Sequence, residues 1–380
     1  MRGNITRRGK SSWRIKFELA PDSTGKRRTR YVTVRGKRQD AERELTRVLS
    51  AADAGTLVEP SKTTIAEYLR AWLDGTNDLS PKTLERYREL AERQIIPHLG
   101  SIALQKLRPA AVHDWHGILL KDGADGKKLS ARTVGHAHRV LHRALQRAVE
   151  TEILSRNVAS VIGPPKVEER EIEILNPEQI AAMMRAIVGH PLQYISSLAL
   201  ASGMRRGELL ALRWTDIDLD GGFLRVERAL EETKAGLRFK PPKTKHGRRT
   251  ITLPASAMVD LRALRRRQLE MRLQLGLGRL EPEALVFCTH DGSPLSPDNL
   301  SRDWRRACAS LKLPRVMFHA LRHTHASVLI AGGGDVVTIS RRLGHSSPIV
   351  TLRVYGHLFG RSDTTTANLI EAAMRTTGER

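Results

Sequence analysis

The sequence predicts a multidomain, mainly α chain: a small N-terminal β-sheet with one helix, then a helical domain, then a mostly helical α+β domain. Three observations carry that expectation. A length of 380 residues exceeds one ordinary core and suits two or three domains of roughly 100–200 residues each. Alternating segments gather near the start, whereas apolar spacing from residue 61 onward is mostly helical. A GPP break then separates one helical stretch from a well-signalled new helix start near residue 176.

Residues 1–55 alternate in SWRIKFEL and again in TRYVTVRG, with the turn cluster PDSTGK between, which predicts a hairpin followed by a helix over 39–52. Residues 1–47 hold fifteen Lys/Arg against five Asp/Glu, so almost half of the net charge of +23 sits in an eighth of the length. That composition suits a β-ribbon laid on DNA, with Arg14, Lys16, Arg28 and Arg30 as phosphate contacts; a merely solvated basic terminus is the plainer alternative.

Residues 61–154 read as entirely helical. TTIAEYLRAWL places Ile65, Tyr68, Leu69 and Trp72 at helical spacing, and SPKTLERYRELAERQI opens with Ser80 as N-cap and Pro81 at the first helical position. A third helix starts near Ser130, with Val134, Leu141, Leu145 and Ala148 as its core face. Arg132, His136, Arg139, Arg143 and Arg147 recur on another face, a basic stripe suited to phosphates where a solvated surface is the bland reading. The His136/His138/His142 cluster is expected at the surface.

Residues 155–175 lack a helical period and are expected to be a linker. Asn176-Pro177-Glu178-Gln179 supplies an N-cap, a first-turn proline and a capping-box glutamine. The domain that follows is expected to be helical with short strands at FLRVERAL and RRTITL, the second belonging to a hairpin turned at Lys245-His246-Gly247. Gly332-Gly333-Gly334 is expected to stop a helix, and Trp214 and Trp304 to lie in the core.

With 64 Lys+Arg against 41 Asp+Glu, the natural partner is a polyanion; DNA, RNA and an anionic membrane all qualify on charge alone. No apolar run of 18 residues exists and the first thirty residues lack a signal-peptide core, so membrane insertion and export are not expected. Two cysteines, Cys288 and Cys308, make neither a disulfide framework nor a zinc finger, which fits a reducing cytoplasm or a nucleoid within it.

The chemistry lies further along. SGMRRGE carries Arg205, HALRHTH carries His319 and Arg322, and LGHSSPIVTLRVYGH carries His345 and, ten residues later, Tyr355. This is a set for attacking a phosphodiester with a phenol while guanidinium forks hold the charge of the pentavalent transition state. A tyrosine hydroxyl has an unperturbed pKa near 10 and must lose its proton as it attacks. Three histidines, His319, His323 and His325, also raise a zinc reading, but no HExxH glutamate accompanies them and no metal is expected.

SGMRRGELLALRW, PPKTKHGRRTITLP, FHALRHTHAS and LGHSSPIVTLRVYGH match, in order and spacing, the boxes of the tyrosine recombinase, or phage integrase, family, and residues 176–360 resemble its DNA breaking-rejoining catalytic domain. The resemblance implies an arm-type DNA-binding domain at 1–55, a helical core-binding, SAM-like domain at 61–154, the linker at 155–175 and a tail helix at 361–380. It implies a nucleophile at Tyr355, phosphate clamps at Arg205 and Arg322, a proton donor to the departing 5′ oxygen at Lys243, and His319 and His345 orienting the phosphate and managing the tyrosine proton. Between Arg205 and Arg206 the family pattern selects Arg205; between Lys243 and Lys245 it favours Lys243, with Lys245 kept open. Glu208 is expected to brace the arginine, and Ala320 stands where relatives often carry aspartate.

The same resemblance implies a metal-free and cofactor-free recombinase that joins or excises mobile-element DNA as a homotetramer through a 3′-phosphotyrosine and a Holliday junction, with host DNA-bending and directionality factors as possible partners. The tail offers Ser362 or Asp363 as a cap and Ala367, Leu369, Ile370 and Met374 as apolar positions, and docks either in cis or on a neighbouring subunit. A non-cutting DNA-binding protein and a type IB topoisomerase are the rival readings.

Overall fold

The computed structural model describes residues 3–19, 28–53, 60–123, 126–168, 172–242, 245–359 and 363–375. The chain divides into two compact units, Met1–Glu168 and Glu169–Arg380.

The first unit opens with three strands, β1 (Gly3–Gly9), β2 (Ser12–Leu19) and β3 (Arg28–Arg35), and a helix α1 (Arg38–Asp53). They form an antiparallel sheet in the order β1-β2-β3. Ile15 and Phe17 are buried with Ala41 and Val48 of α1, so Arg14 and Lys16, one step out of phase, belong to the opposite face. The expected hairpin is the β2-β3 pair. The strand β1 went unseen because GNITRRG has a single apolar residue, Ile5, to pack inward. Register pairs Phe17 with Arg30, which puts Arg30 on the α1 side of the sheet, opposite Arg14 and Lys16, and pairs Leu19 with Arg28, whose side chain lies outside the described residues. Tyr31 and Thr33, paired with Lys16 and Arg14, share the outer face instead.

Next come α2 (Ile65–Asp74), α3 (Pro81–Leu90), a π-helical turn over Ala91–Ile95, and α4 (Ile96–Leu99). A capping box starts α2, with Thr64 and Glu67 exchanging backbone hydrogen bonds. Ser80 stands at the N-cap of α3, but its hydroxyl meets Thr83 Oγ1 at 2.8 Å and not a backbone amide. The π turn precedes Pro97, which has no N–H to give and whose ring crowds the carbonyl four residues back. The Gln94 carbonyl within that turn accepts the Trp115 indole N–H at 2.7 Å from α5 (Pro109–Lys121), a helix not located from the sequence.

The unit closes on α6 (Ala131–Glu150), capped by Ser130 Oγ on the Thr133 amide at 3.2 Å. Val134, Leu141, Leu145 and Ala148 are buried as expected, in one core with Ile65, Leu69, Trp115 and Leu119. His138 corrects the expectation of a surface cluster: it is 2 % exposed, with Nδ1 3.2 Å from Nε2 of buried His116. It sits one step from the basic stripe, its ring 5.1 Å from that of His116. Nor is 155–175 a free linker throughout: Val158 and Ala159 join this core, and Asn157 Nδ2 donates to the His142 carbonyl at 3.0 Å.

In the second unit, α7 (Pro177–Ala186) starts at the expected capping box, Asn176 Oδ1 accepting from the Gln179 amide at 2.8 Å. Then follow α8 (Gln193–Ser202), α9 (Arg206–Leu209), β4 (Ile217–Asp218), β5 (Phe223–Val226), β6 (Ala229–Thr233), β7 (Gly236–Lys240) and β8 (Arg249–Thr252). β8 pairs with β5, and the hairpin is β6-β7, so RRTITL is the third strand of a small sheet and not one arm of a hairpin. The apolar Leu224, Val226 and Ile251 draw β8 onto β5 and into the core. Among the described residues, α10 (Ala255–Gln274), α11 (Pro297–Ser310), α12 (Ala320–Ala331), α13 (Val336–Leu343), α14 (Pro348–Tyr355) and α15 (Asp363–Arg375) follow. Trp214 and Trp304 lie in the core, and Gly332 caps α12 with Gly333 at φ 79°. Among the described residues no helix is long and apolar enough to cross a membrane.

The smallest core, Ile15, Phe17, Ala41 and Val48, leaves its sheet little margin. Ile15→Ala is expected to remove about 2–4 kcal/mol, so that amides of β1–β3 lose hydrogen-exchange protection while those of α2 and α6 keep theirs.

Candidate active site

Two tight turns bring the boxes together. α8 ends on Gly203 at φ 65°, where an added Cβ would stand 2.5 Å from the His325 ring, so the turn requires glycine. The chain then reverses into Arg205, the N-cap of α9. α13 ends on a second left-handed glycine, Gly344 at φ 66° and tight against the Arg249 guanidinium, which sends the chain into His345.

Both arginines of the set reach these turns. Arg322, in the first turn of α12 and 3 % exposed, donates from Nη1 to the Gly203 carbonyl at 2.6 Å and from Nη2 to the Leu343 carbonyl at 2.7 Å. Arg205, more open, donates from Nη2 to the Gly344 carbonyl at 2.8 Å and from Nη1 to Glu208 Oε1 at 2.8 Å. Glu208 is buried, and its Oε2 meets the Arg205 amide at 3.0 Å and Nη2 of Arg249 at 2.9 Å. Burial works to raise its pKa, yet Arg249 and then Arg205 outweigh it and hold the carboxyl below its ordinary value. Arg206 turns to α11, bonding the Pro297 carbonyl at 2.7 Å and the Ser301 hydroxyl.

The remaining groups are His345, at the end of the second turn, and the cluster of His319, His323 and Tyr355. His345 Nδ1 stands 2.8 Å from the hydroxyl of fully buried Thr351. His319 caps α12, and its ring meets that of His323, one turn on, edge-to-face at 4.8 Å. Tyr355 ends α14 and is 1 % exposed, its hydroxyl 2.7 Å from His323 Nδ1. Burial first, then neighbouring histidine and arginine charge, lowers His319 to about 4; burial, then Arg322 and Arg205, does the same to His345. Burial pushes the Tyr355 phenol up to about 12, with Arg322 pulling the other way. Burial and then Arg205 lower Arg322 to about 9, still high enough to keep its charge at neutral pH. The result is a pair of fixed guanidiniums beside neutral imidazoles and a protonated phenol, a site with excess positive charge.

Lys243 lies outside the described residues, and Lys245 begins a 3₁₀ turn, Lys245–Gly247. Among the described residues no group of three His, Cys, Asp or Glu could hold a metal ion. Ala320 packs into the core. His323, Arg249 and Thr351 were missed as members of this cluster. The signal for His323 was its place beside Arg322; Arg249 and Thr351 are visible only once β8 and α14 are placed.

The candidate DNA contacts divide by environment. Arg132, Arg139, Arg143 and Arg147 are all exposed on α6. Three of them already have partners: Asp78 at 2.5 Å for Arg143, Glu150 at 3.2 Å for Arg147, and His136 Nδ1 at 2.8 Å for Arg139. On the N-terminal sheet, the Arg14 guanidinium stands 5.7 Å from the Tyr31 ring centroid.

Known proteins resemble this chain over most of its length. A model of the phage integrase family matches residues 173–361, and one of the phage integrase N-terminal SAM-like domain matches 64–120. The integrase of Mycobacterium phage L5 is 30% identical, over 77% of this chain and 75% of its own. A XerC-like tyrosine recombinase of Caldanaerobacter subterraneus is 29% identical, over 95% and 96%. Among solved structures, Tn1549 transposon integrase in complex with transposon right-end DNA superposes with a TM-score of 0.67 at 19% identity, over 82% of this chain and 99% of that one. A lambda integrase tetramer bound to a Holliday junction gives 0.57 at 18% identity, over 95% and 97%.

Glu208→Gln leaves Arg249 and Arg205 without their shared countercharge and is expected to destabilise the second unit by about 3 kcal/mol in denaturant titrations. A carboxyl held below its ordinary value stabilises the fold above that value, and the contribution drains as pH falls through the lowered one. Wild-type stability should therefore drop on acidification below about pH 4.5, and the variant should lack this increment.

Proposed function

The chain belongs to the phage integrase family and is a tyrosine site-specific recombinase; from that membership and the geometry of its site we propose that Tyr355 is the nucleophile of DNA cleavage and rejoining, with Arg205 and Arg322 as the clamp on the scissile phosphate. One observation supports this reading above the others. Arg205 and Arg322, from segments far apart in the chain, both grip the turn Leu343–Gly344–His345, and His323, next to Arg322, meets the Tyr355 hydroxyl at 2.7 Å.

In the proposed mechanism a nonbridging phosphate oxygen takes the free N–H groups of each guanidinium, and the pair stabilises the charge that builds on the pentavalent phosphorus. The phenol oxygen attacks in line, the 5′ oxygen departs with a proton from Lys243, and a 3′-phosphotyrosyl ester remains. His345, held by Thr351, and His319 orient the phosphate. Because the ester keeps the energy of the broken bond, a second DNA 5′ hydroxyl displaces the tyrosine without a cofactor.

Residues 1–55 act as the arm-binding domain, through Arg14 and Lys16 on the outer sheet face, and 61–154 as the core-binding domain, through the stripe of Arg132, Arg139, Arg143 and Arg147. The active form is a homotetramer that exchanges strands through a Holliday junction to integrate or excise a mobile element at the nucleoid, with host DNA-bending and directionality factors as accessories. Exposed Ile370, 59 %, and Met374, 71 %, on α15 support a tail that docks on a neighbouring protomer.

Nicked duplexes tiled across the DNA flanking the gene test the nucleophile: wild type gives a covalent adduct on a denaturing gel and Tyr355→Phe gives none. Arg205→Ala and Arg322→Lys should slow adduct formation by at least about 10²–10³-fold while DNA affinity stays near wild type. Loss of affinity in parallel would remove both arginines from the chemistry. Deletion of residues 1–55 should weaken assembly on the full site and spare cleavage of the core duplex.

A further inference from the structure

The nucleophile's own hydroxyl is held by a histidine that the mechanism above does not use. His323 lies on α12 beside Arg322, and its Nδ1 is 2.7 Å from the Tyr355 hydroxyl, the rings 5.7 Å apart and inclined at 60°. His319, expected to manage the tyrosine proton, presents its ring to His323, edge-on at 4.8 Å. The groups facing His323 are His319 and Arg322 on its own helix, Tyr355 at the end of α14, and His345 across the turn. None of these is a carboxylate that would hold the ring protonated.

We propose that His323 is the proton acceptor of the tyrosine: Nδ1 accepts the hydrogen bond of the Tyr355 hydroxyl, aims the phenol oxygen, and takes its proton as that oxygen bonds to phosphorus. This rests on Tyr355 being the nucleophile. In the step the O–H bond of the phenol breaks and the proton passes to Nδ1. The bond from the Tyr355 oxygen to phosphorus forms as the bond from phosphorus to the 5′ oxygen breaks, and that oxygen leaves with the proton of Lys243. Rejoining runs in reverse, the imidazolium returning its proton to the phenol oxygen. Burial and then Arg322 hold His323 below its ordinary value, so its ring is neutral and able to accept at physiological pH. Burial also keeps the phenol protonated in the resting chain. A phosphodiester anion entering between Arg205 and Arg322 offsets the positive field that disfavours an imidazolium, which ties proton transfer to the presence of DNA.

The decisive variant is His323→Asn, whose Oδ1 keeps an acceptor near the Nδ1 position but takes no proton. On the nicked duplex that traps the wild-type adduct, the wild-type rate should level off above about pH 7. His323→Asn should be roughly 10²-fold slower at neutral pH and climb about tenfold per pH unit toward pH 9, with DNA affinity unchanged. A variant as fast as wild type, or slowed equally at every pH, would overturn the proposal, since a purely structural ring lowers the rate without reshaping its profile. An adduct from Tyr355→Phe would instead sink the nucleophile assignment itself. Nitrogen NMR of the full chain labelled at histidine tests the same contact without DNA. The proposal requires an unprotonated His323 Nδ1 whose shift moves in Tyr355→Phe; a proton on Nδ1, or no response, refutes it.

Discussion

One buried carboxylate organises the catalytic unit. Glu208 has almost no contact with water, and an isolated charge there would be untenable without partners. Arg249 and Arg205 supply them, and each also donates to the backbone: Arg249 Nε to the Arg342 carbonyl at 2.6 Å and Arg205 Nη2 to the Gly344 carbonyl at 2.8 Å. Arg322 adds the Leu343 carbonyl between them. Three successive carbonyls at the end of α13 are thus held by three guanidiniums, from the N-cap of α9, from β8 and from α12. These are the carbonyls a helix end leaves without intrahelical donors, so one need satisfies the other. The fork of arginine is what makes this possible, because a lysine ammonium cannot bridge a carboxylate and a carbonyl in fixed planes.

The arrangement leaves the site with more positive than negative charge, and that excess sets the state of everything around it. His319 and His345 are kept neutral by burial and by the arginines, and the phenol stays protonated because its surroundings are dry. A second arginine-linked clamp secures the other turn. His325 Nδ1 lies 2.7 Å from the Leu200 carbonyl, and its Nε2 receives Nε of Arg342 at 3.0 Å, so the end of α8 and the end of α13 move together. The two clamps fix the geometry in which a phosphate would be received, and little reorganisation is left for the moment of reaction.

How much of this was legible depended on whether the signal was local. The Asn176 capping box, the helix start near Ser130 and the core face of α6 are written in a few adjacent residues, and the structure has them where the sequence places them. Arg205, Arg322, His345 and Tyr355 were legible as spaced boxes, although the turn that both arginines grip was not. What escaped was set by pairing at a distance. β8 joins β5 because Ile251 and Leu224 complete a core that neither segment announces, and Arg30 shares the α1 side of its sheet because β3 is registered against Phe17. His138 was lost for a related reason: a histidine one step off a basic stripe turns inward to meet His116, a partner twenty-two residues away. The π turn follows from Pro97, but its stabilising partner, the indole of Trp115, comes from another helix.

The proposed binding and catalytic arginines differ in what holds them, and the difference bears on function. Arg143 and Arg147 pair with Asp78 and Glu150 on an exposed surface, where such pairs are worth about 0–1 kcal/mol. Exchanging those carboxylates for DNA phosphates therefore costs little, and the released counterions favour it. Arg322 is held by backbone carbonyls that cannot leave, so it cannot swing out to search for a ligand; the ligand must come to it. Under the proposed roles, the surface contacts are replaceable whereas the site arginines stay fixed.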